Sequence, residues 1–496
     1  MKRFFRKALV GMARVAAVLI VFLIFFYAEE NWRGARDWAA YQKEMQARGE
    51  TLDLRELAPL GKPEDDLSKV PIYAELYEEN DENRMGKHSD RRPRIREVDP
   101  YLDPSPPYAK SAGKLTDLVS WQKYYQSVPE ASHVTDSSGT PAEDVLKALA
   151  QYDSILNEID QAVSNPNAYW PIDYEHPLWG FLGGISSSGA ILRVVELRAV
   201  AHLENSEPAL AEREFLFSIN LGRPSIKGCF AVNYLSLASI TKRSDDILSE
   251  GLRRHSWSDA QLREMELALA SSDMLALGSN SLCLERAGFI QTIKVEQEMN
   301  ADVVGYAGRY SPYYYRLSLF NLPLSRLRPS GWWNQDRVNL CRATQVHLDA
   351  INLSQGTLDA AKFPRDPMWT RTDRDESTTI STWRAIYTPI SSLASDSFDN
   401  FGFDIAKAET YRRLARLACR LEEYRLAHAQ YPEQLDDLPD LPAHLNQEVL
   451  SEHPLRYQRK GDGYLLYSVG WNQKDNGGVG AIDDGEGDWP WPRPSF

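Results

Sequence analysis

The sequence predicts a mainly α-helical protein. An N-terminal transmembrane helix is followed by an irregular α-helical hairpin body and a small α+β module with a β-hairpin. Three observations carry this. Residues 9–28 are an apolar run; from residue 140 apolar side chains recur in steps of three and four; near the end two short runs flank a Gly-Asp-Gly loop.

Residues 9–28 are 20 long with one charge, Arg14, and residues 15–28 have none. A membrane-spanning helix needs about 20 mostly apolar residues, and Arg14 lies near one end, where a long side chain reaches the headgroups. Lys2, Arg3, Arg6 and Lys7 precede the run, and no acid occurs before Glu29. Positive flanks stay cytoplasmic, so the N-terminus is expected inside and the body periplasmic, with Tyr27 and Trp32 at the outer interface. A cleavable signal needs small residues at its cleavage site, but the run ends Phe25-Phe26-Tyr27-Ala28. An uncleaved inner-membrane anchor is expected, with residues 9–28 in the lipid bilayer. A lipid-modified cysteine is excluded because the first cysteine is Cys229.

The remaining chain is acidic. The formal charge is −14, and the first 14 residues hold five bases and no acid, so residues 15–496 carry −19. Such a surface repels phosphate backbones, which argues against a nucleic-acid partner. Cys229, Cys283, Cys341 and Cys419 form no CxxC pair, and their spacing argues against zinc. Two disulfides or buried free thiols both fit.

Four segments follow: the basic tip and anchor at 1–28, a stalk helix and Pro- and charge-rich linker at 29–139, the helical body at 140–402, and the C-terminal module at 403–496. Residues 29–48 continue the anchor helix, and 59–110 read as an extended strap. Thr140-Pro141-Ala142-Glu143 is a capping box whose helix runs to Val163, with Val145, Leu149, Tyr152, Leu156, Ile159 and Val163 on one face. Ser186-Ser187-Ser188 introduces a helix over 190–203. Further helices are expected at 208–221, 230–252, from Ser258 to about 270, at 336–351 and at 405–429.

After the last helix come Tyr431-Pro432-Glu433-Gln434-Leu435, two strands at 454–459 and 464–469 joined by Lys460-Gly461-Asp462-Gly463, then Tyr467-Ser468-Val469-Gly470, an acidic glycine loop and Gly487-Asp488-Trp489. This order over about 405–491 resembles the C-terminal part of the major pseudopilin of type II secretion systems. The whole chain also resembles large single-pass bacterial envelope proteins that end in such a tail, a likeness that brings no function with it. The pseudopilin resemblance implies calcium in the loop. Asn472, Asp475, Asn476, Asp483, Asp484, Glu486 and Asp488 supply hard oxygens of the kind calcium takes, and Asp475, Asp483 and Asp488 are the chosen ligands. A solvated acidic loop with Gly turns is the alternative. The likeness stops at the N-terminus. A pilin-type stem has an aromatic residue after its Gly cleavage site and a Glu early in the apolar helix; here Met12 follows Gly11 and the first Glu is Glu29.

No nucleophile elbow, Walker loop, HExxH or dinucleotide glycine pattern occurs. Gly183-Gly184-Ile185-Ser186-Ser187-Ser188-Gly189 reads as a helix N-cap cluster rather than a reactive serine. The stretch from Trp170 to Trp179, with Asp173, Glu175 and His176, offers paired acids for a sugar site or an aromatic loop packed over helices. Tyr306, Tyr310, Tyr313, Tyr314 and Tyr315 suit glycan stacking or interhelical packing. The expectation is a non-catalytic envelope protein gripping a protein partner; the alternatives are a component of a secretion or pilus-like assembly and a cell-wall glycan-active enzyme.

Overall fold

The computed structural model describes residues 2–84, 92–101, 115–128, 139–175, 177, 183–299, 328–363, 391, 400–480 and 485–493. The protein is mainly helical, with a long apolar N-terminal helix and two small antiparallel sheets. Helix α1 spans Lys2–Arg48, 47 residues without a break. Its first part is apolar and bare: Leu9 is 68% exposed and Phe25 71%. This helix is long and apolar enough to cross a membrane. A second candidate by composition, Asp259–Val295, is 44% buried and belongs to two core helices of the body.

Beyond the apolar part, α1 is built into the body. Helix α12 (Ser330–Leu348) lies along it. Gly331 N–H donates to Asn31 Oδ1 at 2.9 Å, Trp332 Nε1 to Glu30 at 2.8 Å and Gln335 Nε2 to Asp37 at 2.9 Å. Farther along, Tyr41 and Met45 pack with Val338 and Cys341, and Arg48 pairs with Asp349 at 2.7 Å. The partners advance together along both helices, so α1 and α12 run parallel. Their closest approach is at Gly34 and Gly331, where backbone meets backbone. Trp332 also meets Phe26 edge-on at 6.3 Å, which brings the start of α12 level with the end of the apolar run.

The shorter helices fill in between. They are α2 (Leu54–Leu57), α3 (Pro71–Arg84), α4 (Leu118–Ser127), α5 (Pro141–Leu149), α6 (Asp153–Val163), α7 (Gly183–Glu204), α8 (Pro208–Gly222), α9 (Ala231–Arg253), α10 (Asp259–Ala270) and α11 (Met274–Met299). Both expected caps form. Thr140 Oγ1 accepts from the Glu143 N–H while Glu143 accepts from the Thr140 N–H, and Ser258 and Gln261 do the same. The six apolar residues read from 145 to 163 are all buried.

Four expectations need correction. The helix expected from 140 to 163 is interrupted by a 3-10 turn over Ala150–Tyr152, and the buried face continues across it. The strap at 59–110 contains α3, whose Ile72, Tyr73 and Leu76 enter the main core, so apolar burial there outweighs the Pro- and charge-rich composition. Ser186-Ser187-Ser188 does not start α7, which begins at Gly183; Ser187 and Ser188 lie inside it and are buried, and packing there offsets serine's modest helix cost. Helix α12 begins six residues before Asp336, with Pro329 at its N-cap.

Helix α13 (Phe401–His428) is the axle of the molecule. It packs against α9, α10 and α11 on one side and against β4 (Gly463–Ser468) and β5 (Trp489–Trp491) on the other. With β3 (Arg456–Lys460) these form an antiparallel sheet ordered β3-β4-β5, and Gly461 at φ +57° makes the hairpin turn. A second two-stranded sheet pairs β1 (Ile351–Asn352) with β2 (Thr357–Leu358), numbered before these in the chain. Ile72, Tyr234, Tyr411, Leu466 and Trp489 share one core, so packing is continuous across 402/403.

Candidate functional site

The segment from Trp170 onward lines a cleft. The strap after α2, Ala58 to Gly61, runs past Tyr169, Trp170, Ile172 and Tyr174, and Ile226, Lys227, Asn280 and Leu284 complete a cavity of about 390 Å³. Aromatic hydroxyls fasten the walls together. Tyr169 donates to the Gly61 carbonyl at 3.3 Å and Tyr174 to the Ala58 carbonyl. Tyr169 also exchanges backbone hydrogen bonds with Asp65 and Leu67. Arg55 lies over the Tyr174 ring at 4.6 Å, and Lys227 Nζ donates to the Asn167 carbonyl at 2.9 Å.

Asp173 and Glu175 do not line this cleft. Asp173 accepts from the Glu175 N–H at 3.0 Å, so it shapes its own turn. His176 and Trp179, like the tyrosines from 306 to 315, lie outside the described residues. The charged group lining the cleft is Lys227, and it brings no pair of carboxylates together. What remains is an apolar and aromatic recess with a cation and an amide at its rim, suited to binding. The signal that could have found it is the aromatic density around Trp170; the opposite wall lies about 110 residues earlier and gave none.

Next to the cleft wall, Glu285 is buried and accepts from the Ala231 N–H at 2.8 Å. Burial pushes its carboxyl up to about 7. A carboxyl raised on folding keeps its proton in the folded state, so its penalty is absent below the unfolded value near 4.5 and grows as pH rises to about 7. Glu285→Gln keeps the acceptor and removes the charge. It is expected to stabilise the protein by roughly 2–3 kcal/mol at pH 8 and by little at pH 4. Urea melts at the two pH values would disprove this if the gain were equal at both.

The acidic loop is a self-capped structure where it is described. Asp475 accepts from Gly477 N–H and the Tyr467 hydroxyl, each at 2.9 Å, and from Arg456 Nε at 3.1 Å. These donors, led by Gly477, hold its carboxyl below the usual range. Asp488 is buried and accepts from the N–H groups of Asn476 (3.0 Å) and Gly478 (2.6 Å). Burial nevertheless raises its carboxyl. Asp483 lies outside the described residues. Calcium takes six to eight oxygens, and Asp475 and Asp488 each accept from the loop's own donors and share none of them. Among the described residues no group of three or more ligating side chains converges for a metal.

The four cysteines are free thiols in this fold. Burial pushes Cys229 and Cys341 up to about 12, which makes them unreactive packing residues. No family model, no curated protein and no solved structure matches the chain.

Proposed function

We propose that this protein is a membrane-anchored, non-catalytic interaction protein of the cell envelope, inserted in the inner membrane with its N-terminus in the cytoplasm and its helical body outside. One observation carries the reading. A single helix runs from a bare apolar segment into a clamp of glycines, hydrogen bonds and ion pairs with α12, so the body is held rigidly at the bilayer. The bases before the apolar run support this orientation. The aromatic cleft, in which the described lining residues offer no acid–base pair, supports a docking role for a protein partner.

The secretion-assembly reading rests on the order of elements in the tail. It is the weaker one because α13 is enclosed by the body and the sheet, leaving it little free face for a neighbouring subunit. The test is topology together with proximity. A C-terminal alkaline phosphatase fusion should be active and a C-terminal GFP fusion dark, and a photo-crosslinker at Leu60, which is 64% exposed on the cleft wall, should give a discrete protein adduct in cells. A fluorescent GFP fusion would overturn the orientation. No adduct from Leu60 would overturn the docking role.

A further inference from the structure

A second cavity, of about 240 Å³, lies between α6, α7 and α8. Its apolar lining is the buried Leu156 and Phe217 with the exposed Leu210. Its back wall is a closed ionic chain: Arg198 Nε donates to Glu214 at 2.8 Å and Arg198 Nη1 to Asp153 at 2.5 Å. Arg198 is therefore committed. Arg213 on α8 is not, having no anionic partner among the described residues. Across the same cavity, on α6, the Asp160 carboxylate accepts among the described residues only from the Ser164 hydroxyl, at 3.5 Å, and the exposed Asn157 amide has no hydrogen-bond partner among them. Both free charges act on the buried Glu214 between them, Arg213 favouring its ionised form and Asp160 opposing it. A free cation and a free anion thus border one small apolar-lined cavity without closing on each other.

We propose that this cavity binds a small zwitterion, an α-amino acid with an aliphatic side chain. Its carboxylate would meet Arg213, its ammonium would meet Asp160 with Asn157 alongside, and its side chain would cover Leu156 and Phe217. The groups are complementary in sign to such a ligand, and each contact is a charge-assisted hydrogen bond. A purely anionic ligand would face Asp153 and Asp160, and a purely cationic one would face Arg198 and Arg213. The inference is independent of the membrane reading, since it uses only the three-helix cavity.

The test uses the full chain in detergent, with L-leucine, L-leucine methyl ester and N-acetyl-L-leucine as probes in calorimetry and thermal melts. Leucine should bind and raise the melting temperature. The ester, lacking the carboxylate, and the acetyl form, lacking the ammonium, should each bind roughly tenfold or more weakly. Arg213→Gln and Asp160→Asn should weaken leucine by a similar factor, each ligand-induced shift being read against that variant's own ligand-free melt because both charges act on Glu214. No binding of leucine, isoleucine, valine or methionine at tens of millimolar would overturn the proposal. So would binding of either blocked leucine as tight as that of leucine itself, or unchanged affinity in both variants.

Discussion

Gly34→Leu is expected to force α1 away from α12 and unfasten the body from the long apolar helix. A Cβ at Gly34 would sit 2.1 Å from the Gly331 carbonyl oxygen and 2.6 Å from its Cα. A Cβ at Gly331 would sit 2.0 Å from the Glu30 carbonyl oxygen. These neighbours are backbone, so no rotamer change relieves the clash and the helices must separate. Separation also lengthens the Gly331–Asn31, Trp332–Glu30 and Gln335–Asp37 hydrogen bonds, which depend on close approach. Overpacking alone costs about 1–3 kcal/mol, and exposing buried Glu30 and the Trp332 contact adds to it. Gly11→Leu is the control, because nothing lies within 4 Å of a Cβ there. Thermal melts of the detergent-solubilised protein should show Gly34→Leu several degrees lower and Gly11→Leu unchanged. Limited proteolysis should find new cuts between residues 29 and 48 in Gly34→Leu only. A melt and digest indistinguishable from the parent would mean that the clamp does not hold the stem.

The stem shows what the sequence makes legible and what it hides. The apolar run, its flanking charges and the helical continuation to Arg48 are local, so composition and period reveal them. The partner of that continuation lies 300 residues away, and no pattern around Gly34 announces it. The face from Val145 to Val163 and the two capping boxes were readable for the same local reason. Helix α11 was not. Its Gly278 packs against Ile405, and Leu282, Arg286, Ala287 and Ile293 are buried on more than one side, so it lacks the single apolar stripe that marks a surface helix. The cleft was half visible, since Trp170 and Tyr174 stood out while the wall from Ala58 to Gly61 looked like linker. In the C-terminal loop the acids were conspicuous. The hydrogen bonds from Asn476 and Gly478 to Asp488 join residues 12 and 10 apart, and no local pattern in the loop announces them.

The larger expected loss is at Glu409, one of the few acids in α13 with no route to solvent. It is 1% exposed and holds two buried cations. Arg412 donates to it through Nε and Nη2 at 2.8 Å each, Arg413 through Nε at 2.8 Å, and the Met274 N–H at 3.3 Å. The two guanidinium groups then reach outward. Arg412 reaches the Leu269 carbonyl at 3.5 Å, and Arg413 the carbonyls of Gly356 at 2.6 Å and Gln447 at 3.0 Å. One carboxylate thus ties α13 to the α10–α11 junction, to the turn between β1 and β2 and to the segment before β3. Removing one partner of a buried ion pair costs about 3–5 kcal/mol because the other charge is left unpaired, and Glu409→Ala strands two. Glu409→Gln, which keeps an acceptor and loses the charge, should fall between the parent and Ala. Burial alone would raise this carboxyl, but the paired arginines overcome it and hold the group below its usual value. A carboxyl lowered on folding contributes stability that is present above the unfolded value near 4.5 and is lost as pH falls through the lower folded value. The deficit of Glu409→Ala should therefore be full at neutral pH and shrink in acid, opposite in sense to the pH effect at Glu285. Urea midpoints of the three proteins at neutral and acidic pH decide it. A Glu409→Ala midpoint matching the parent at neutral pH would show that the arginines find other partners, and that the join between body and C-terminal sheet is held by apolar packing alone.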